Sequence, residues 1–415
     1  PIPRGRLLRH IQSLHGRQEC LRNGRNVIGF RLCSLTGELL QKARHLPGIG
    51  LGFSLATKRL TTKLKQVRQM QTEKYFDESR FIRQIRYQQL GPEGQQKLSQ
   101  AHVGIVGCGA LGSATAVSLT RAGIGTLTII DRDIPEWSNL PRQLLYTEKD
   151  VRDGLPKAII AEQRLREIDS NVHVIPHVAD LTAHNISDLL ASVDIIVDGT
   201  DNFETRFLMN DFACRENIPW IDGGVIGAEG RVMTVIPGKT ACLRCLIPDL
   251  PTPGSLPTCN TAGVLGAAVM VVAGIQTAET IKVIVNPEQD TESKLFVFDL
   301  WDSTWKTIDL RSLSEVGCLS CQGDDHEWLD TSRHQTAILC GQDAVQFHHP
   351  GKTPDLCNIA KNLSCFGNVT ENKWLVRTEV EPGIVVSVFA DGRLIVTGTR
   401  DPSQARAIVS KCVGM

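Results

Sequence analysis

The apolar run Val103 to Val106 passes directly into Gly107-Cys108-Gly109-Ala110-Leu111-Gly112, and a helix-forming pattern continues from Gly112 to Ala122. A strand that becomes a helix through glycines constrains this chain more than any other feature. It requires a turn too tight for side chains, with a helix N-terminus whose backbone N–H groups and dipole favour a phosphate. A second β-rich run, Thr126 to Asp131, follows, and its closing Asp131 stands 19 residues beyond Gly112, where a carboxylate can accept hydrogen bonds from ribose hydroxyls. Gly107, Gly109, Ala110, Gly112 and Asp131 therefore predict a nucleotide site. The pattern does not choose the nucleotide, because a nicotinamide dehydrogenase carries the same loop and the same acid.

Beyond Met70, short β-rich runs alternate with helical ones, as in an α/β sheet. The spacing predicts a helix over 157–168, with Ala161, Leu165 and Ile168 on one face, and strands over 172–175 and 193–198. Apolar runs between Gly223 and Gly238, around Ala228-Glu229-Gly230, predict a hairpin. A polar, acidic stretch beginning at Gly323 reads as a linker over 323–335. Then come a strand over 344–348, a helix over 356–363, strands over 373–379 and 384–389, a turn at Asp391-Gly392, a strand over 393–397 and a helix over 402–413. The expected fold is a doubly wound, Rossmann-like, mostly parallel α/β sheet over 70–322 with a small α+β accessory domain over 336–415.

Lys plus Arg and Asp plus Glu both number 45, and the balance hides two unlike pieces. Residues 1–69 hold 14 basic side chains against Glu19 and Glu38 alone, a net of +12, so the rest of the chain carries −12. This basic stretch has no Met before Met70 and no regular spacing with interleaved aromatics. It reads as an extension outside the folded enzyme, disordered or not native, with a transit peptide as the competing reading. A net-acidic body does not attract a polyanion, which argues against nucleic acid as a partner. The longest uncharged stretch, Leu250 to Ala278, opens with a Pro-rich loop and is broken by Gly263, Gly266, Gly274, Gln276 and Thr277. A buried helix fits it better than a bilayer span, so no membrane association is expected and the cytoplasm is the expected location.

Phosphate chemistry and hydride transfer differ in the fixed charge they need beside the loop. Nucleotidyl transfer from ATP develops charge on the α-phosphate and on the departing pyrophosphate, so it calls for Lys, Arg and Mg²⁺. Ser138-Asn139-Leu140-Pro141-Arg142-Gln143 lies just past the second strand, Lys157 opens the next helix after Pro156, and Thr200-Asp201-Asn202 follows the strand ending at Asp198. Each has an ordinary alternative: a surface ion pair for Arg142, a solvated helix start for Lys157, a helix cap for Asp201. Together at one sheet edge they favour ATP.

With these motifs in order, the span from about Tyr75 to Gln322 resembles the adenylyltransferases that activate ubiquitin-like sulfur carriers in thiamine and molybdopterin synthesis, the ThiF/MoeB/HesA group related to ubiquitin-activating enzymes. Arg80-Phe81-Ile82-Arg83-Gln84 resembles the group's N-terminal motif, whose second arginine, here Arg83, would reach into the partner subunit's ATP site. The resemblance implies ribose and phosphate contacts from Asp131, Asn139, Arg142 and Lys157, Mg²⁺ held by Asp201, and a homodimer with two composite sites; Asp133, Ser138 and Asn202, beside these residues in the sequence, are further expected nucleotide contacts. Two positions depart from the group's pattern. Ala110 stands where a third glycine is usual, and Pro141 replaces a more usual His or Gln; neither change removes a charge.

The chain has 13 cysteines, which in a chain read as non-secreted point to thiol and metal chemistry rather than a disulfide framework. Cys242-Leu243-Arg244-Cys245 and Cys318-Leu319-Ser320-Cys321 are two C-x₂-C knuckles whose thiolates could close a tetrahedral Zn²⁺ site. The resemblance implies the same ligands for a structural zinc. Cys259, in Pro257-Thr258-Cys259-Asn260-Thr261-Ala262-Gly263, precedes an apolar helix whose N-terminus favours a thiolate. It reads as an inert loop thiol or as a nucleophile. The resemblance implies the latter, a crossover-loop cysteine that some members link covalently to the carrier or its sulfur. Cys108, Cys214, Cys340, Cys357, Cys365 and Cys412 are expected to be packing residues.

The functional expectation is ATP-dependent adenylylation of the C-terminal Gly-Gly carboxylate of a ubiquitin-like sulfur carrier. Arg83, Arg142, Lys157, Asp201 and Cys259 form the expected catalytic set, and ATP, Mg²⁺ and structural Zn²⁺ the cofactors. A sulfurtransferase or cysteine desulfurase would act with it. One rival is an NAD-dependent Rossmann oxidoreductase, which gives no reason for Arg83, Arg142, Lys157 and Asp201 to occur in this order. Another is the non-catalytic half of a heterodimeric activating enzyme, in which some of these ATP residues would be missing.

Overall fold

The computed structural model describes residues 78–251, 259–287, 291–315, 317–323, 325–330, 337–338, 344–348, 354–399 and 401–413, so the basic segment 1–69 lies outside the described residues. The helices α1 (Glu78–Ile85) and α2 (Gly91–Gln100) lead to β1 (His102–Val106), α3 (Ala110–Arg121), β2 (Thr126–Ile130), α4 (Lys157–Ile168), β3 (His173–His177) and β4 (Ile195–Asp198). Then follow α5 (Phe203–Glu216), β5 (Trp220–Ile226), β6 (Glu229–Val235), α6 (Gly266–Val285), β7 (Lys294–Asp299) and β8 (Thr304–Asp309).

These eight strands form one sheet in the order β3-β2-β1-β4-β5-β6-β7-β8. Pairings from β3 to β5 are parallel, and those from β5 to β8 antiparallel. The parallel part is the Rossmann-like order expected from the sequence. Its strand order reverses between β1 and β4, so a crevice opens beyond their C-terminal ends. Strands β1, β2 and β4 are buried on both faces, which is why they read as continuous apolar runs rather than alternating ones. Alternation along each strand sorts the side chains. Val103, Ile105, Leu127, Ile129 and Val197 share a core with α3, α4 and α6, while Val106, Ile130 and Ile196 join Phe207, Phe212 and Trp220 on the α5 side.

The uncharged stretch gives α6, which is long and apolar enough to cross a bilayer but is half buried within this fold. It lies against α3, β5 and β6. Its Gln276 donates to the Asp198 carbonyl at 2.8 Å and accepts from Thr115 Oγ1 at 3.2 Å, so a polar group in the core is met on both sides. The predicted hairpin is β5–β6, with Ile226 opposite Glu229. Its turn is Gly227-Ala228 rather than the following residues, because Gly227 supplies the positive φ of 60°.

The C-terminal elements are β9 (Ala337–Ile338), β10 (Ala344–His348), α7 (Leu356–Leu363), β11 (Val369–Glu371), β12 (Leu375–Glu381), β13 (Ile384–Phe389), β14 (Arg393–Thr397) and α8 (Pro402–Val413). Their six strands form a second, antiparallel sheet in the order β11-β12-β13-β14-β10-β9. Ile359, Leu363, Ala405 and Ile408 of α7 and α8 cover one face. The other face buries Ala344, Leu375, Phe389 and Ile395 and takes in Ile134, from the segment after β2.

Two expectations need correction. Of the stretch read as a linker, residues 325–330 are packed on α5: the Trp328 ring meets Phe207 edge-on with centroids 5.3 Å apart, and the Trp328 backbone N–H donates to Asp211 Oδ2 at 3.2 Å. Residues 324 and 331–336 lie outside the described residues. Cys357 and Cys365, expected to pack, are exposed: α7 turns Ile359, Ala360 and Leu363 inward and Cys357 outward, and Cys365 lies in the turn after the helix. Cys108 and Cys412 are buried as expected, Cys214 is half-buried, and Cys340 lies outside the described residues.

Candidate active site

A cavity of about 750 Å³ opens where β1, β2 and β4 end, a size suited to a small-molecule ligand. Its phosphate-facing wall is the predicted glycine loop. Gly107 has φ +82°, and a Cβ at Gly112 would lie 1.9 Å from the Gly107 carbonyl oxygen. One at Gly199 would lie 2.1 Å from the same oxygen, so three glycines pack backbone on backbone. That contact brings the start of α3 and the segment after β4 to one cavity. Gly199 was not singled out in the sequence, although its place directly after the β4 aspartate was a usable signal. Ala110 is the first residue of α3 and half-buried, so a third glycine is not demanded there.

Asp131 fastens this loop, accepting from the Cys108 N–H at 2.6 Å and the Asp133 N–H at 2.7 Å. Burial raises its pKa above the usual carboxylate value against the pull of Lys157. Burial also acts on Asp133, but Lys157 at 3.4 Å and Arg132 at 3.6 Å outweigh it and hold this carboxyl below the usual range. Lys157 is the first residue of α4, and its side chain is only 6% exposed. A cation there opposes both desolvation and the helix dipole. Asp133 and Asp131 offset these costs and raise its pKa, keeping it charged. A locally unfavourable charge that is held in place by its neighbours is characteristic of a functional site. The Cys108 thiol is pushed up to about 12 by burial and by Asp131, which suits packing and not nucleophilic chemistry.

Ser138 and Asn139 lie in the 3₁₀ turn Trp137–Asn139, where Asn139 Oδ1 accepts from the Glu136 N–H at 3.0 Å. Arg142 Nη1 donates to the Ser138 carbonyl at 2.6 Å. Among the described residues no carboxylate forms an ion pair with Arg142, so its charge can serve a ligand. Asn202, not Asp201, caps α5, accepting from the Thr205 N–H at 2.8 Å. Asp201 is therefore spared the capping role that was its ordinary alternative, and it stands exposed on the cavity wall. Gly107, Gly109, Ala110, Asp131, Asp133, Ser138, Asn139, Arg142, Lys157, Asp201 and Asn202 all line this one cavity; Gly112 stands behind the loop. Arg83 does not line it and lies exposed on α1.

Sequence reasoning missed a charge cluster at the cavity, where Arg206 and Arg231 line the wall and Asp198 and Asp222 are buried behind them. Arg206 Nε lies 2.7 Å from Asp198 Oδ2 and 3.8 Å from Asp222 Oδ1, and Arg231 pairs with Asp222 from the other side. Arg206 also donates to the Thr200 and Gly223 carbonyls, at 2.8 and 2.9 Å. Charges inside apolar strand runs, Asp198 in Ile195-Ile196-Val197-Asp198 above all, were the available signal.

Away from the cavity the two cysteine knuckles meet. Cys242 precedes the helical turn Leu243–Leu246 and Cys245 lies within it. The sulfurs are 3.8 Å apart for Cys242 and Cys245, 3.7 Å for Cys242 and Cys318, and 3.5 Å for Cys245 and Cys321. Four thiolates at about 2.3 Å around a tetrahedral Zn²⁺ stand about 3.8 Å apart, so the set fits zinc. Asn210 of α5 points Nδ2 at Cys242 Sγ, 3.6 Å away, and accepts from the Leu243 N–H at 2.9 Å. Ser320, between the other two cysteines, donates to buried Asp211 at 2.7 Å. These contacts orient the ligands from α5. Cys259 begins the helical turn Cys259–Ala262 ahead of α6, while residues 252–258 lie outside the described residues.

A model described as the ThiF family matches residues 81–320. The sulfur carrier protein ThiS adenylyltransferase of Bacillus subtilis strain 168 is 42% identical over 338 residues, which cover 81% of this chain and 99% of that protein. That alignment is longer than the family span, so the similarity extends outside it. The SAMP-activating enzyme E1 of Haloferax volcanii is 37% identical over 233 residues, 56% of this chain and 85% of that one. Among solved structures, Escherichia coli MccB with MccA-N7isoASN superposes with a TM-score of 0.51 at 26% identity, over 60% of this chain and 76% of that one.

Proposed function

The chain belongs to the ThiF family, and on that premise we propose that its cavity binds ATP and adenylylates the C-terminal carboxylate of a ubiquitin-like sulfur carrier. It is an adenylyltransferase acting on a sulfur-carrier protein. The observation that carries this reading is the convergence of the glycine loop, Arg142, Lys157 and Asp201 on one cavity. A carboxylate oxygen of the carrier attacks the α-phosphorus, the bond to the bridging oxygen breaks, and the electron pair leaves with pyrophosphate. The carboxylate is already ionised at pH 7, so little acid–base help is required. Arg142 and Lys157 offset charge that grows on the phosphates, and the α3 N-terminus supplies backbone donors. Asp201 is free to hold Mg²⁺, which supplies further charge neutralisation when bound.

The finer assignments follow the same reading. Arg83 acts on the site of a second subunit, which accounts for its absence from the cavity of its own chain and makes the working enzyme a homodimer. The four cysteines hold a structural zinc, since no ligand position is left open for a reactant. The Cys259 thiolate attacks the carbonyl of the acyl-adenylate and forms a thioester with the carrier as the acyl C–O bond breaks and AMP leaves, before a sulfurtransferase or cysteine desulfurase delivers the sulfur. The carrier, ending in Gly-Gly, serves thiamine or molybdopterin synthesis, and the enzyme works in the cytoplasm. Residues 336–415 form an accessory domain to the 70–322 core, and residues 1–69 stand outside catalysis. A nicotinamide dehydrogenase has no comparable use for Arg142, Lys157 and Asp201 in one cavity. ATP–pyrophosphate exchange tests the reading: labelled pyrophosphate enters ATP when a matched Gly-Gly carrier is present. No exchange by folded, zinc-loaded protein with its carrier overturns it.

A further inference from the structure

The C-terminal sheet holds three cavity-bearing segments from behind. Arg132, between Asp131 and Asp133, donates from Nη1 to Asp180 Oδ2 at 2.9 Å and to Gln346 Oε1 at 3.4 Å. Gln346 Nε2 donates to the same Asp180 oxygen at 3.0 Å, so the three side chains close a triangle. Gln346 is on β10 and buried. Arg393 opens β14, is only 2% exposed, and donates from Nη2 to the Val178 carbonyl at 3.4 Å, two residues ahead of Asp180. Asp391 at 2.6 Å and the Phe389 ring at 4.5 Å fix this guanidinium. Asn372, just before β12, donates to the Gly154 carbonyl at 3.3 Å, three residues ahead of Lys157. Ile134 completes the contact by entering the apolar face of the C-terminal sheet.

Arg132, Asp133, Asp180 and Lys157 line the cavity, whereas Gln346, Arg393 and Asn372 do not. Burying an amide and a guanidinium is unfavourable unless their partners are waiting. Here the partners lie at the ends of β2 and β3, where the nucleotide's ribose would lie, and only Arg393 Nη1 is left without one among the described residues. The sheet has its own core on the α7 and α8 side, so these polar contacts are not needed to hold it together. We propose that the C-terminal sheet is part of the nucleotide site, with Gln346 and Arg393 as positioning residues that set Arg132 and Asp180 in place for ATP without touching it. This inference rests on the reading of the cavity as an ATP site.

Gln346→Met keeps the side chain's length and removes both hydrogen-bonding atoms. In the exchange assay with full-length protein, the KM for ATP rises about fivefold or more while the KM for the carrier and the melting temperature stay near wild type. A KM for ATP within about twofold of wild type overturns the inference, as does a fall in kcat alone. A second measurement on the wild-type chain guards against a variant that fails to fold. Binding of a non-hydrolysable ATP analogue slows amide hydrogen exchange in 344–348 and 393–397 as well as in the glycine loop. Protection of the loop with no change in either strand overturns the inference. An unprotected loop counts instead against the cavity as an ATP site.

Discussion

Lys157 Nζ stands 3.4 Å from Asp133 Oδ2 at the cavity wall, on a helix start whose dipole disfavours a cation. The pair keeps a buried lysine charged where phosphates would bind, so Lys157→Met is expected to lower the exchange rate about 10²- to 10³-fold. Lys157→Arg is expected to restore little, because a planar fork does not replace a compact ammonium in a space already shared with two aspartates. Steady-state exchange rates for the two variants check this.

Gly112 is the position where the loop tolerates least. A Cβ there would meet the Gly107 carbonyl oxygen at 1.9 Å and the Ile105 side chain at 3.2 Å. Gly112→Ala is expected to cost about 2 kcal/mol or more of stability and to abolish measurable ATP binding. Ala110→Gly, on the first turn of α3, is expected to cost no more than about 1 kcal/mol. Urea unfolding and calorimetric titration with ATP separate the two positions.

Loss of zinc should be a stability event first. Cys245→Ser is expected to release the metal, to loosen the Leu243–Leu246 turn on α5, and to lower the melting temperature by roughly 4–6 °C, equivalent to about 3 kcal/mol. Metal analysis beside a thermal scan reads both effects. Retention of one zinc per chain in the variant would contradict the ligand assignment.

His177 ends β3, and burial pushes its imidazole below the ordinary value of 6.5. The unfolded chain therefore takes up a proton before the folded one as pH falls. The stability it contributes is full above about 6.5 and declines as pH drops from there toward the folded value. His177→Asn should flatten that part of the acid slope, measured as urea midpoints between about pH 7.5 and pH 5. An unchanged slope would assign the acid loss to other groups.

Much of this architecture is written in local pattern. The helix over 157–168 and the elements 344–348, 356–363, 384–389, 393–397 and 402–413 have the expected bounds, because each is an apolar pattern followed within two residues by Gly or a polar residue. β8 carried no such signal, since every one of its residues is exposed and no face is apolar. Strand β2 and the loop could place Asp131 in advance, but nothing local could reveal that Asp131 already binds the Cys108 and Asp133 N–H groups. The Arg132–Asp180–Gln346 triangle was equally out of reach, because its members lie far apart in the chain and meet only when two sheets pack. Arg83 was legible as a motif residue yet has no place in the cavity of its own chain.

The central claim is that this cavity makes an acyl-adenylate on the carrier. The most direct measurement is the intact mass of a Gly-Gly-ended carrier after incubation with the enzyme, ATP and Mg²⁺, with Arg142→Ala run alongside. The account predicts a carrier adduct of one AMP, released by thiol or hydroxylamine and absent with the variant. A carrier left at its original mass by folded, zinc-loaded wild-type enzyme, while ATP is bound, would contradict it.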